Sequence, residues 1–202
     1  MGNTPAATRV RLVGAAVLAG LWLAWPARPA DEHAAHRAAA AAPLQIRNDD
    51  YQVPDVLLQD QRGVPVRLRT LLADDQPLVV NFIYTSCTTV CPVMTATLLQ
   101  LQRQLAHAAP APRYVSISID PDYDSAALLH DYAARFHADW NFLTGDRDTV
   151  IAVLNAFAAW RGGKGNHVAI TLLRRPGESH WLRVEGLSSA AELARLWRQG
   201  TG

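Results

Sequence analysis

An apolar run, Leu78 to Tyr84, breaks off into Cys87-Thr-Thr-Val-Cys91-Pro92, and these are the only two cysteines among 202 residues. The run is nearly continuous, as in a strand covered on both faces of a sheet. From Pro92 the apolar positions Val93, Met94, Leu98, Leu101 and Leu105 recur at helical spacing. Pro92 suits the first turn of that helix, where its missing N–H costs least. The two thiols therefore sit where a buried strand becomes a helix. A Cys87–Cys91 disulfide would close a very small loop and restrict the unfolded chain little. Redox or metal chemistry accounts for the pair better than a structural staple does.

The remaining pattern alternates strands and helices. Two short apolar stretches flank Asp60-Gln-Arg-Gly63, which reads as a hairpin. Tyr114 to Ile119 alternates and reads as a strand. A helix capped by Asp124 or Ser125 runs to about His137, and another spans about Asp146 to Trp160. After the flexible loop Arg161-Gly-Gly-Lys-Gly-Asn166 come a strand from His167, a second strand at Trp181–Val184 and a last helix from Ser188. This order predicts an α/β, thioredoxin-like fold: a central mixed β-sheet flanked by helices, with an N-terminal β-hairpin extension.

The start of the chain reads as a targeting segment. Arg9 and Arg11 precede roughly 14 uncharged, mostly apolar residues from Leu12 to Trp25, a length that suits a secretory signal and is short for a membrane span. A cleaved signal peptide and a retained membrane anchor over residues 1–30 both stay open, because Arg28 spoils a cut after Ala30. No cysteine follows the apolar run, which excludes a bacterial lipoprotein anchor. Either option exports the rest of the chain to the periplasm. Residues 31–49, with His33, His36 and an alanine run, read as a flexible linker, and residues 50–200 as the folded domain. A formal net charge of +1 gives no basic face for nucleic acid. Gly162-Gly-Lys-Gly165 lacks the spacing of a phosphate-binding loop, and no flavin or haem pattern is evident.

The cysteine spacing narrows the chemistry. Thioredoxin-type reductases keep two residues between their cysteines, whereas here there are three, which puts both thiols on one helical face. A helix N-terminus favours thiolate at both sulfurs. Thiolates are soft ligands and select Cu(I), zinc or iron–sulfur clusters. Zinc and cluster sites usually need four protein ligands, whereas Cu(I) is satisfied with two or three. His167 is the candidate imidazole, in the neighbourhood where thioredoxins keep a proline that this chain lacks. A lone histidine at a strand edge is otherwise commonly structural.

Four stretches carry a specific resemblance: Tyr84 to Thr95, Ser116 to Ser125, Phe142 to Gly145, and Asn166 to Val168. Together they resemble the Sco/SenC family over roughly residues 50 to 200. The resemblance implies a thioredoxin-like copper metallochaperone that helps build the dinuclear copper centre of cytochrome c oxidase. It implies Cys87, Cys91 and His167 as ligands of copper, as Cu(I) with Cu(II) left open. It places the family's Asp-Pro-x-x-Asp element on Asp120 and Asp124, near the site. Asp120 then either tunes the thiolates, contacts a partner or caps the following loop, while Asp124 is expected to cap its helix. Two departures bear on affinity and partner choice: a short loop before His167, and Thr88, Thr89 and Val90 between the cysteines, with no charge among them.

The implied partners are the copper-binding subunit of cytochrome c oxidase, or another cuproprotein, and a thiol reductant. An alternative is a thiol-disulfide oxidoreductase that reduces the cysteines of that subunit, with Cys87 attacking and Cys91 resolving. A peroxiredoxin-like peroxidase would need a threonine where this chain has Tyr84. A copper-responsive signalling module is a further class. His107, His130 and His137 read as surface residues on helices, and Trp140, Trp160 and Trp197 as packing anchors.

Overall fold

The fold is taken from a computed structural model, which describes Gly2 and residues 43–73 and 76–199. The expected targeting segment, His33 and His36 lie outside the described residues. Eight strands form one sheet: β1 (Gln45–Asp49), β2 (Leu57–Asp60), β3 (Pro65–Arg67), β4 (Leu78–Ile83), β5 (Arg113–Ser118), β6 (Asn141–Thr144), β7 (Ile170–Arg174) and β8 (Trp181–Glu185). Among the described residues five α-helices accompany them: α1 (Leu68–Leu71), α2 (Val90–Gln104), α3 (Ala126–Phe136), α4 (Arg147–Ala156) and α5 (Ala190–Gln199). The strand order is β1-β8-β7-β4-β5-β6-β2-β3. β4, β5 and β6 run parallel, β7 lies antiparallel to β4, and β2 and β3 form an antiparallel hairpin.

β4 lies at the centre, and every one of its residues is buried. Its alternation sends Val79 and Ile83 to one face, where they pack with Leu98 and Leu101 of α2, Leu129 and Tyr132 of α3, and Leu193 and Trp197 of α5. Leu78, Val80 and Phe82 face the other way, onto Val150, Val153 and Leu154 of α4 and Leu68 of α1. Coverage on both faces explains why β4 reads as continuous rather than alternating. Between the two apolar residues of the first face, Asn81 accepts from the Ser116 hydroxyl at 2.6 Å, and Trp140 Nε1 donates to the same Ser116 oxygen at 2.9 Å. Trp140 and Trp197 are buried, as expected of packing anchors.

The hairpin forms where the sequence places it. Gly63 takes a φ of 76° at its turn, and the buried Asp60 carboxylate accepts from the backbone N–H groups of Arg62 and Val64. Two strands depart from the reading. Gln45–Asp49, assigned above to the linker, is instead an edge strand paired with β8. Its residues are mostly exposed and polar, so no apolar period announces it. Asn141–Thr144 is a strand where two helices were expected in succession. At four residues it is too short to show a period, and β5 recruits it in parallel register.

Candidate functional site

The dithiol sits at the carboxyl end of β4. The chain turns at Tyr84–Thr89, with the Cys87 N–H donating to the Tyr84 carbonyl at 3.2 Å, and enters α2 at Val90. Thr89 occupies the cap position but makes no side-chain capping bond. The Cys87 sulfur serves as the cap in its place, accepting from the Cys91 N–H at 3.3 Å. Neither cysteine is bridged, and with Cys87 7% exposed and Cys91 fully buried, Cys87 is the more exposed of the two.

The two sulfurs titrate in opposite directions, which corrects the expectation that the helix end favours thiolate at both. The Cys91 thiol donates to Cys87, and that bond above all, helped by the backbone N–H groups of Cys91 and Thr89 and by the Tyr84 side chain, pulls Cys87 down to about 4. Cys91 is pushed up, because Cys87 holds its proton in place and because it is buried. The pair thus shares one proton, as a thiolate and a thiol.

Asp124 sets the loop beneath the sulfurs. It is 2% exposed and caps no helix: Ser125 does that, accepting from the Leu128 N–H. The Asp124 carboxylate instead accepts from the Thr85 N–H at 3.1 Å, the Thr85 hydroxyl at 2.5 Å and the Ser118 hydroxyl at 2.6 Å. Burial raises its pKa, against the pull of those donors. Asp124 therefore ties the turn after β4 to the end of β5. The sequence reading missed this role, and Thr85 and Ser118 with it.

His167 follows a short 3-10 turn, Lys164–Asn166, and its ring meets the Tyr84 ring edge-on, with centroids 5.7 Å apart at 82°. Its Nε2 is buried and has no hydrogen-bond partner. Burial lowers its pKa while the nearby Cys87 charge opposes, leaving a neutral imidazole with an orphaned ring nitrogen. The fold thus gathers Cys87, Cys91 and His167 at one end of the sheet, linked through Tyr84. Among the described residues, however, no three His, Cys, Asp or Glu side chains stand close enough to hold a metal ion.

Asp120 lies beside this group, with its carboxylate engaged elsewhere. It accepts from Lys164 Nζ at 2.5 Å, and its carbonyl accepts from the Tyr123 and Asp124 N–H groups. His107, His130 and His137 are exposed, as expected of surface residues. His180 pairs with Asp50 at 2.5 Å. Lys164 and Tyr84 are the site neighbours that sequence reasoning passed over. The one signal for Lys164 was its place in the glycine-rich loop.

A mixed sheet whose central strand delivers a dithiol to the first turn of a helix, with helices on both faces, defines a thioredoxin-like protein. The sequence profile of the SCO1/SenC family matches residues 47–175, and the chain belongs to that family. The SCO1 protein homolog of Bacillus subtilis (strain 168) is 35% identical over 99 residues, covering 48% of this chain and 50% of that protein. The chain spans about half the length of the curated relatives it matches. BsSco, a member of the Sco family of cytochrome c oxidase assembly proteins in which a disulfide switch was identified, superposes with a TM-score of 0.61 at 27% identity, covering 74% of this chain and 93% of that one. Yeast Sco1 with copper bound superposes with a TM-score of 0.58 at 22% identity, covering 70% and 89%, a likeness of fold. Among the described residues no helix is long and apolar enough to cross a membrane, and the apolar run at 12–25 lies outside them.

Proposed function

We propose that this chain is an exported copper metallochaperone that carries Cu(I) on Cys87, Cys91 and His167 and delivers it to the copper centre of a cytochrome c oxidase or another cuproprotein. One observation carries the reading: a thiolate–thiol pair at a helix start stands near a neutral imidazole whose buried Nε2 has no partner. Soft sulfur with one imidazole suits Cu(I), and an orphaned buried nitrogen is costly unless something binds it. Loading brings the imidazole to the sulfurs and displaces the Cys91 proton. Release to a partner then proceeds by exchange of thiolate and imidazole ligands one at a time, with no change in oxidation state. The dithiol must be reduced to load, so an exported carrier depends on a thiol reductant. Family membership supports an oxidase-assembly role, and the basic and apolar N-terminus supports export to the periplasm, whether as a cleaved signal peptide or a retained anchor.

A second reading has its own observation. Cys87 is the lower-pKa and more exposed sulfur, and Cys91 stands behind it as a protonated thiol. That is the arrangement of an attacking and a resolving cysteine in disulfide exchange, where the reduced dithiol becomes a disulfide and the partner's disulfide becomes two thiols. Anaerobic Cu(I) titration of the reduced full chain against a competing chelator separates the two. One copper per chain, weakened by Cys87→Ser, Cys91→Ser and His167→Ala alike, supports the carrier. Binding indifferent to His167→Ala sinks the three-ligand site and leaves the reductase.

A further inference from the structure

The residues leading to His167 have little intrinsic order. Arg161 to Asn166 contains three glycines, and Gly162 and Gly163 hold φ values of 81° and 153°, which other residues rarely adopt. Hydrogen bonds within the loop give it a turn: the Asn166 N–H donates to the Gly163 carbonyl at 3.2 Å, and the His167 N–H to the Lys164 carbonyl at 3.1 Å. These bonds shape the loop without attaching it to the sheet.

Attachment at its middle comes from Lys164. The ammonium donates to Asp120 Oδ2 at 2.5 Å, lies 5.9 Å from the Tyr84 ring centroid and 5.4 Å from that of Tyr123. The Asp120 side chain is only 13% exposed. An exposed ion pair alone does little. Here two aromatic faces and a largely shielded carboxylate converge on one cation, which strengthens each contact. Tyr84 is also the ring against which His167 packs. One tyrosine therefore receives both the clasp and the imidazole.

We propose that Lys164 is a positioning residue: clasped by Asp120, Tyr84 and Tyr123, it latches the glycine-rich loop down and holds the His167 imidazole beside the dithiol. The inference rests on the reading of His167 as the third copper ligand. The latch spares the imidazole the entropy of ordering three glycines when copper arrives. Asp120 then acts on the site through Lys164 rather than on the sulfurs directly.

The test compares the reduced full chain with Lys164→Met, which keeps the alkyl stem and removes the charge, and with Asp120→Asn. In the metal-free protein, amide hydrogen exchange at Asn166 and His167 is expected to quicken about tenfold in both variants, with the denaturation midpoint unchanged. Lys164→Met is expected to weaken Cu(I) binding about tenfold, and to add nothing to the loss in His167→Ala when the two are combined. Unchanged exchange, or losses that add in the double variant, overturns the latch. Copper binding indifferent to His167→Ala overturns the three-ligand reading, a failure distinguishable from the latch's own, which the exchange rates report without metal.

Discussion

Asp124 accepts hydrogen bonds from both the backbone N–H and the hydroxyl of Thr85, 39 positions earlier in the chain, so a buried carboxylate underlies the dithiol turn. Asp124→Ala leaves these donors and the Ser118 hydroxyl unpaired and is expected to destabilise the fold by about 2–4 kcal/mol in denaturant unfolding. The sign of its pH dependence follows from burial. A folded-state pKa raised above the ordinary 3.8 means stability that is present in full below 3.8 and lost as pH rises through the raised value. Relative to Asp124→Asn, which has no titrating group there, the parent should gain stability as pH falls through that window. A constant difference across it would refute the assignment.

Cys87 and Cys91 should respond unequally to acid. With Cys87 lowered from 9.0 to about 4, its contribution to the stability of the reduced protein is present above 9.0 and is lost as pH falls through about 4. Alkylation of the reduced protein should modify Cys87 first, at a rate that stays level across the neutral range and drops only in acid. Cys91→Ala removes the leading cause of the depression and should move that drop to higher pH. Cys91→Ser, which keeps an O–H donor, should move it less. An alkylation profile with the same midpoint in all three proteins counts against the shared proton.

β1 should matter to stability more than its composition suggests. A chain beginning at residue 50 loses the five-residue pairing of Gln45–Asp49 with β8, the Leu44 contact with the core, and the Arg47 ion pair to Glu185. The ion pair is half exposed and adds little. Loss of the apolar contact and the uncovering of β8 as an edge are expected to cost about 1–3 kcal/mol against a chain beginning at residue 43. Equal denaturation midpoints for the two chains would show that β1 is dispensable. Alkylation of Cys87 should be the same in both, since β1 is the edge strand, separated from β4 by β8 and β7.

Much of this protein was legible along the chain, because the deciding forces act over a few residues. The apolar run of β4, the helical period after Pro92 and the four-residue spacing of Cys87 and Cys91 each arise from local geometry. From these come the strand-to-helix dithiol, the α/β class and the Sco-like motif order. The tertiary structure alone decided what surrounds the sulfurs. Asp124 reaches Thr85 across 39 positions, Lys164 reaches Asp120 across 44, and His167 meets Tyr84 only because β7 returns antiparallel beside β4. The division of one proton between two thiols was equally invisible, since it depends on burial and on which sulfur receives the helix N–H. Such contacts join residues with no shared period, so no pattern along the chain announces them; they exist only once the sheet is assembled.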